Sequence, residues 1–304
     1  MTAINLELSE HESAALPRRV WAGMLGIYAI VMIALFSAGA PGDIQITTRG
    51  LILMTLAVNL ALGGMLTAIF GGRIDVRRVM ATCVFTLVLS VCAVWMIHWG
   101  DRHDAAHADT SRLAFPWTWI DQLQREAGEA HQFGRAFMAQ VLGVAIFEEG
   151  IKLLPAMIFF ATRRSRRVRS FMLSAAVGGL IFGLAESITY ANLVYGRQGA
   201  PAWEYVMRCG ASAPAHAFWS AIGAAVTCMM LSARFGRMVS ILSGWSIAAI
   251  LHGFHNASQA SFGPVAQIPS LFVAMLLLFL AARWAWRVDG CREVEPSCTM
   301  VECL

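Results

Sequence analysis

The chain has 304 residues, 58% of them hydrophobic and only 14% charged, with a mean hydropathy of +0.61. Soluble domains run nearer half apolar and a quarter charged, so these figures exclude a water-soluble globule, and with it a disordered, collagen-like or disulfide-rich chain. The formal net charge of +4 is distributed as short arginine groups between apolar runs, with Lys152 as the single lysine. That pattern excludes a basic nucleic-acid face and marks an integral membrane protein.

In chain order, residues 1–19 form a polar N-terminus, too acidic at its start for a signal peptide. Apolar runs long enough to cross a bilayer then predict eight spans near 20–40, 51–70, 79–99, 136–162, 171–194, 213–233, 238–258 and 265–286. The expected fold class is therefore all-α, a polytopic helical bundle read as one domain. Its parts are three N-terminal spans (20–99), an outer loop (100–133), a four-span core (134–260), a last span (261–287) and a tail (288–304).

Loop charges predict the orientation. One side collects 15 arginines, including Arg73, Arg77 and Arg78 and the run Arg163, Arg164, Arg166, Arg167 and Arg169, against 7 on the other. The richer side is the cytoplasm by the positive-inside rule, and an even number of spans places both termini there. In the outer loop, Trp119, Ile120, Leu123 and Ala127 share a helical face opposite Asp121, Gln124 and Glu129, which predicts a helix on the outer membrane surface. His103, Asp104 and His107 lie beside it and read as a wet acidic loop rather than a metal site. Cys83, Cys92 and Cys228 sit in apolar runs as small hydrophobes, and Cys291, Cys298 and Cys303 match no zinc spacing.

Ionisable groups in mid-membrane cost about 2.5–3.5 kcal/mol each on insertion scales, so each needs a reason. They concentrate in spans four to seven: Glu148, Glu149 and Lys152, then Glu186, His216, and His252 and His255 with Asn256. Counted from the nearest cytoplasmic arginine at the helical rise per residue, Glu148, Glu149, Glu186, His216 and His252 lie about 21–27 Å deep, a common level in the outer half of the bilayer. Glu148 and Glu149 stand four and three residues before Lys152, so either can pair with it. His252 and Asn256 share a helix face, while His255 has no assigned role.

Two carboxylates, two histidines and an amide suit peptide-bond hydrolysis. A carboxylate takes a proton from water and later returns it to the leaving amine. Histidines and asparagine then stabilise the oxyanion, or histidines and a glutamate hold zinc with an open position. The sequence leaves both mechanisms open. It contains no His-Glu-x-x-His and no Gly-x-Ser-x-Gly. A proton-coupled transporter also uses buried acids, lysine and histidines, although no internal repeat is present, and a scaffold glued by polar contacts is a third class.

The same residues resemble a known family. Glu148-Glu149-Gly150-Ile151-Lys152 looks like the Glu-Glu-x-x-Lys motif of PrsW-type intramembrane proteases, and Phe182-Gly183-Leu184-Ala185-Glu186 like their Phe-x-x-x-Glu motif. His216 matches the third motif, and His252-Gly253-Phe254-His255-Asn256 the closing His-x-x-x-Asn or Asp motif, so the resemblance covers about residues 134–260. That family is related to the CAAX-prenyl proteases; the shorter spacing to Lys152, and Glu186 where those carry histidine, favour the PrsW branch. The resemblance implies Glu148 as water-activating base supported by Glu149, with Glu186 in the second motif's place. It implies His252 and Asn256 as oxyanion or metal contacts and, where a metal such as zinc is used, His216, His252 and Glu186 as its ligands. It also implies a bacterial inner-membrane enzyme that clips membrane-anchored regulators such as anti-sigma factors, often on the outer side.

Overall fold

The computed structural model describes residues 48–70, 79–92, 132–162, 167–190 and 213–294, and every element within them is helical. These are α1 (Thr48–Ile69), α2 (Val79–Cys92), α3 (Phe133–Gln140), a π-helical turn (Val141–Ala145), α4 (Ile146–Thr162), α5 (Val168–Tyr190), α6 (Ala213–Ser232), α7 (Arg237–Phe262), a 3-10 turn (Pro264–Ala266) and α8 (Gln267–Val294). Among the described residues, four helices (α5 to α8) are long and apolar enough to cross a membrane. The stretch 133–162 is continuous helix as well, interrupted in composition by Glu148, Glu149 and Lys152 and carrying Pro155 inside α4. The expected first span at 20–40, the surface helix, His103 and His107, and Cys298 and Cys303 lie outside the described residues.

Helix α6 is the hub. It packs against α5, α7, α8, α4 and α1, and it is buried on all sides from Ala213 to Ala225. Its sequence explains why: between Ala213 and Ala225 most side chains are Ala, Ser or Gly, which let helix backbones approach where lipid supplies no hydrophobic driving force between helices. Glycines complete the approach. A Cβ on Gly179 of α5 would stand 2.2 Å from the His216 carbonyl oxygen, so the α5–α6 crossing tolerates no side chain there. A Cβ on Gly253 would stand 2.4 Å from Val141 Cγ2, which is how α7 comes to lie against the π turn. Large apolar side chains such as Leu60, Met238, Phe272 and Leu276 point outward, as expected of a lipid-facing perimeter.

Two boundaries differ from the hydropathy expectation. Helix α7 runs on to Phe262 and stops where Gly263 adopts φ 83°, a conformation that favours glycine. Helix α8 continues to Val294, eight residues past its expected end, because its polar last turns have partners. Asp289 accepts from the backbone N–H groups of Val168 (2.9 Å) and Arg169 (3.1 Å), capping α5, and from Arg169 Nε at 3.0 Å. The Arg169 guanidinium lies over the Trp286 ring at 3.9 Å, and Trp286 Nε1 donates to the Ile69 carbonyl at the end of α1. Hydropathy sees a charged helix end; the fold uses it to tie three helices together.

Candidate active site

Helices α4, α5, α6 and α7 bring their polar residues to one place. Lys152 is fully buried, and its ammonium is within 2.8 Å of Glu149 Oε1, 3.2 Å of Glu148 Oε2 and 2.6 Å of His216 Nδ1. An ammonium has three protons and no acceptor, so it donates to all three. The Phe182 ring closes its fourth side at 4.3 Å. His216 Nδ1 therefore accepts, and the proton sits on Nε2, which donates to Glu186 Oε2 at 3.0 Å.

Glu149 is sealed from solvent and saturated with donors: Lys152, Ser220 Oγ at 3.3 Å, and His252 Nδ1 at 3.0 Å. With its Nδ1 proton given to Glu149, His252 has an acceptor at Nε2, and Asn256 Nδ2 donates to it at 3.1 Å. Glu148 Oε2 lies 3.7 Å from the same nitrogen. The hydrogen bonds thus converge on Glu149, which accepts from Lys152 on one side and from His252 on the other, with Asn256 donating in turn to His252. The two remaining carboxylates behave differently from Glu149: the side chains of Glu148 and Glu186 keep 20% and 19% exposure, so water can reach them.

Trp219 is the plate beneath the histidines. It stacks on His252 at 4.5 Å with planes 14° apart and meets the ring of His216 edge-on at 5.1 Å. Sequence reasoning gave the aromatic residues no role, and Trp219 has one by position. Ser220 was also missed, although it lies one turn beyond His216 on the same face. Gln140, whose Oε1 accepts from Asn256 Nδ2 at 3.3 Å, was hidden by the π turn between it and the glutamates. His255, left without a role, meets the Trp219 ring edge-on at 5.1 Å, and its Nδ1 bond leads away from the cluster. Ser270 Oγ donates to the Gln267 carbonyl at 2.8 Å, so His255 Nδ1 donates to Ser270 at 2.6 Å.

A metal-donor set is also present. Glu148, His216 and His252 each offer one ligand atom, all within 4.8 Å of one another. Glu186, expected among the ligands, is not in this group and instead holds Nε2 of His216. Two imidazoles and a carboxylate are the donor types of a catalytic zinc site, and the carboxylate behind His252 Nδ1 fixes the tautomer with a lone pair on Nε2, where Asn256 now donates and a metal would compete.

A family model described as PrsW family intramembrane metalloprotease matches residues 76–282, well over half of the chain. The chain belongs to the PrsW family. It is therefore a membrane-embedded peptidase, and the transporter reading is not favoured. No curated protein and no solved structure matches it. The match extends beyond the four motifs to residues of α2 and α8, so the helices that flank the polar cluster of this PrsW-family protease belong to the family pattern as well.

Proposed function

We propose that this protease hydrolyses a peptide bond in a membrane-anchored protein, such as an anti-sigma-factor-like regulator, with Glu148 as the base that takes the proton from water. The observation that carries the proposal is the division among the carboxylates: Glu149 is sealed and neutralised by Lys152, while Glu148 stays partly exposed beside His252 Nε2. In this account the water oxygen attacks the scissile carbonyl as Glu148 takes its proton. The C–N bond then breaks, and Glu148 returns the proton to the leaving amine. His252, whose Nε2 carries no proton, is a metal contact rather than an oxyanion donor, Glu149 and Lys152 orient it, and Glu186 controls the proton on His216 Nε2.

The donor set fits zinc, which Glu148, His216 and His252 would hold. When bound, zinc would polarise the scissile carbonyl and make its water acidic. One oxygen of Glu148 belongs to that set, and the other remains to take a proton. His216 would join the set through Nε2 as the proton there passes to Glu186 and Lys152 gives one to Nδ1, which keeps the ring neutral. We further propose the full topology of eight spans with both termini cytoplasmic in a bacterial inner membrane, which reporter fusions at both ends would check.

The test is elemental analysis with activity. Purified protein is expected to hold one zinc per chain, lost in His252→Ala and His216→Ala, and chelation is expected to stop cleavage until zinc is returned. Full cleavage by metal-free protein would remove zinc from the account. Full cleavage by Glu148→Gln would remove the base.

A further inference from the structure

A spanning substrate helix satisfies its own backbone, so opening it for hydrolysis frees N–H and C=O groups that need partners in a water-poor site. The site described above uses its polar groups on one another. One place has polar atoms left over, and it lies at the end of the hydrogen-bond series.

The π turn creates it. Gln140 and Glu148 are eight residues apart, which on an uninterrupted α-helix would leave them about 80° apart around the axis. A π turn takes one extra residue, so it shifts the phase by roughly one residue's rotation, about 100°, and returns the two side chains to nearly the same face. The contacts agree: Glu148 approaches His252, and Gln140 bonds Asn256, one turn further along α7. Gly253, whose missing side chain admits Val141, lets α7 lie close enough for both.

The proton inventory then fixes the amides. His252 Nε2 is an acceptor, so Asn256 must turn its Nδ2 toward it, and the second Nδ2 proton goes to Gln140 Oε1. What remains is the Nε2 donor of Gln140 and the Oδ1 acceptor of Asn256, neither of which bonds another described residue. Both side chains are half-buried, beside the partly exposed Glu148. A donor and an acceptor side by side complement the C=O and N–H of an opened peptide backbone.

We propose that Gln140 and Asn256 form a backbone clamp that binds the unwound stretch of substrate next to the scissile bond, with Gln140 Nε2 donating to a substrate carbonyl. The proposal rests on the protease reading above. It assigns Gln140 as a substrate ligand, independent of side-chain sequence in the substrate, and gives the π turn its purpose.

The test expresses wild type, E148Q, Q140L and Q140E at equal folded abundance, checked by unfolding temperature of the purified proteins. Mass spectrometry of the membrane fraction counts the new chain ends that wild type makes and E148Q does not. Q140L removes donor and acceptor, while Q140E keeps an acceptor for Asn256 and loses the donor. Each is expected to cut the yield of those ends about tenfold, as for a buried polar group left unpaired. As a binding readout, Phe137→benzoylphenylalanine in the E148Q protein, a substitution that keeps Gln140 and lies three residues before it on α3, is expected to photo-crosslink to the protein whose ends wild type generates, and to do so about tenfold less when Q140L is added. Wild-type yield from Q140E would mean that Gln140 only orients Asn256, and wild-type yield from Q140L that it does neither; both overturn the clamp, as does an absence of crosslink. If wild type itself makes no E148Q-sensitive ends, the protease mechanism fails and the clamp fails with it, a result distinct from the others.

Discussion

Lys152→Met tests the charge arrangement on which the whole site depends. Methionine is unbranched and one heavy atom shorter than lysine, so it keeps the apolar stem and removes the ammonium. In its absence Glu149, with no exposure at all, retains Ser220 Oγ at 3.3 Å and His252 Nδ1 at 3.0 Å but loses the ammonium at 2.8 Å. Removing one partner of a buried ion pair costs about 3–5 kcal/mol, because the remaining charge is left buried and uncompensated. The partner substitution supplies the internal check. Glu149→Gln together with Lys152→Met leaves Glu148 as the nearby carboxylate on α4, and its side chain is 20% exposed and can stay hydrated. The double variant is therefore expected to regain about 2 kcal/mol or more relative to the sum of the singles. Unfolding in mixed micelles, followed by circular dichroism against rising denaturing detergent, measures each corner of the cycle. Leu154→Ala, at an exposed apolar position on the same helix, is the control. If Lys152→Met loses no more stability than that control, or if the double variant shows no recovery, the assignment of Lys152 as counter-charge is wrong.

Other substitutions separate packing from chemistry. Gly179→Ala forces a Cβ to within 2.2 Å of the His216 carbonyl and is expected to lose at least about 1–3 kcal/mol in the same unfolding assay, with cleavage reduced because His216 moves with α6. Trp219→Leu removes the plate beneath His252 and should slow turnover, while Trp219→Phe, which keeps a stacking ring, should restore most of it; equal rates in both would deny Trp219 a positioning role. Asp289→Ala removes the carboxylate that accepts from Arg169 Nε and caps α5, so a loss of about 1–3 kcal/mol is expected in detergent unfolding. Activity per folded molecule should nevertheless stay at the wild-type level, since Asp289 touches none of the site residues.

The legible part of this protein was the part with an energetic penalty for being there. Charged and polar groups in apolar runs stand out, and counting residues from the arginine loops was enough to put Glu148, Glu186, His216 and His252 at one depth. Their direct contacts follow that expectation. What the sequence hid has no penalty to announce it. The π turn at Val141–Ala145 consists of ordinary apolar residues, so nothing in its composition records that Gln140 is rotated into line with Glu148. Trp219 looked like any membrane aromatic, because its role comes from the ring beneath His252 rather than from its own chemistry. Asp289 read as the start of a polar tail, and only the N-terminus of α5, 120 residues earlier in the chain, explains it. The donor set likewise needed coordinates, since depth alone cannot tell whether Glu148 or Glu186 shares space with both histidines.

The central claim is that a glutamate in this cluster cuts membrane-anchored proteins. Its most direct test compares membrane proteomes of cells expressing wild type or Glu148→Gln at equal abundance, with mass spectrometry searching single-span proteins for new chain ends. The account predicts ends that appear with wild type and disappear with Glu148→Gln, in proteins that thereby become the named substrates. The same set of ends from both proteins would contradict it.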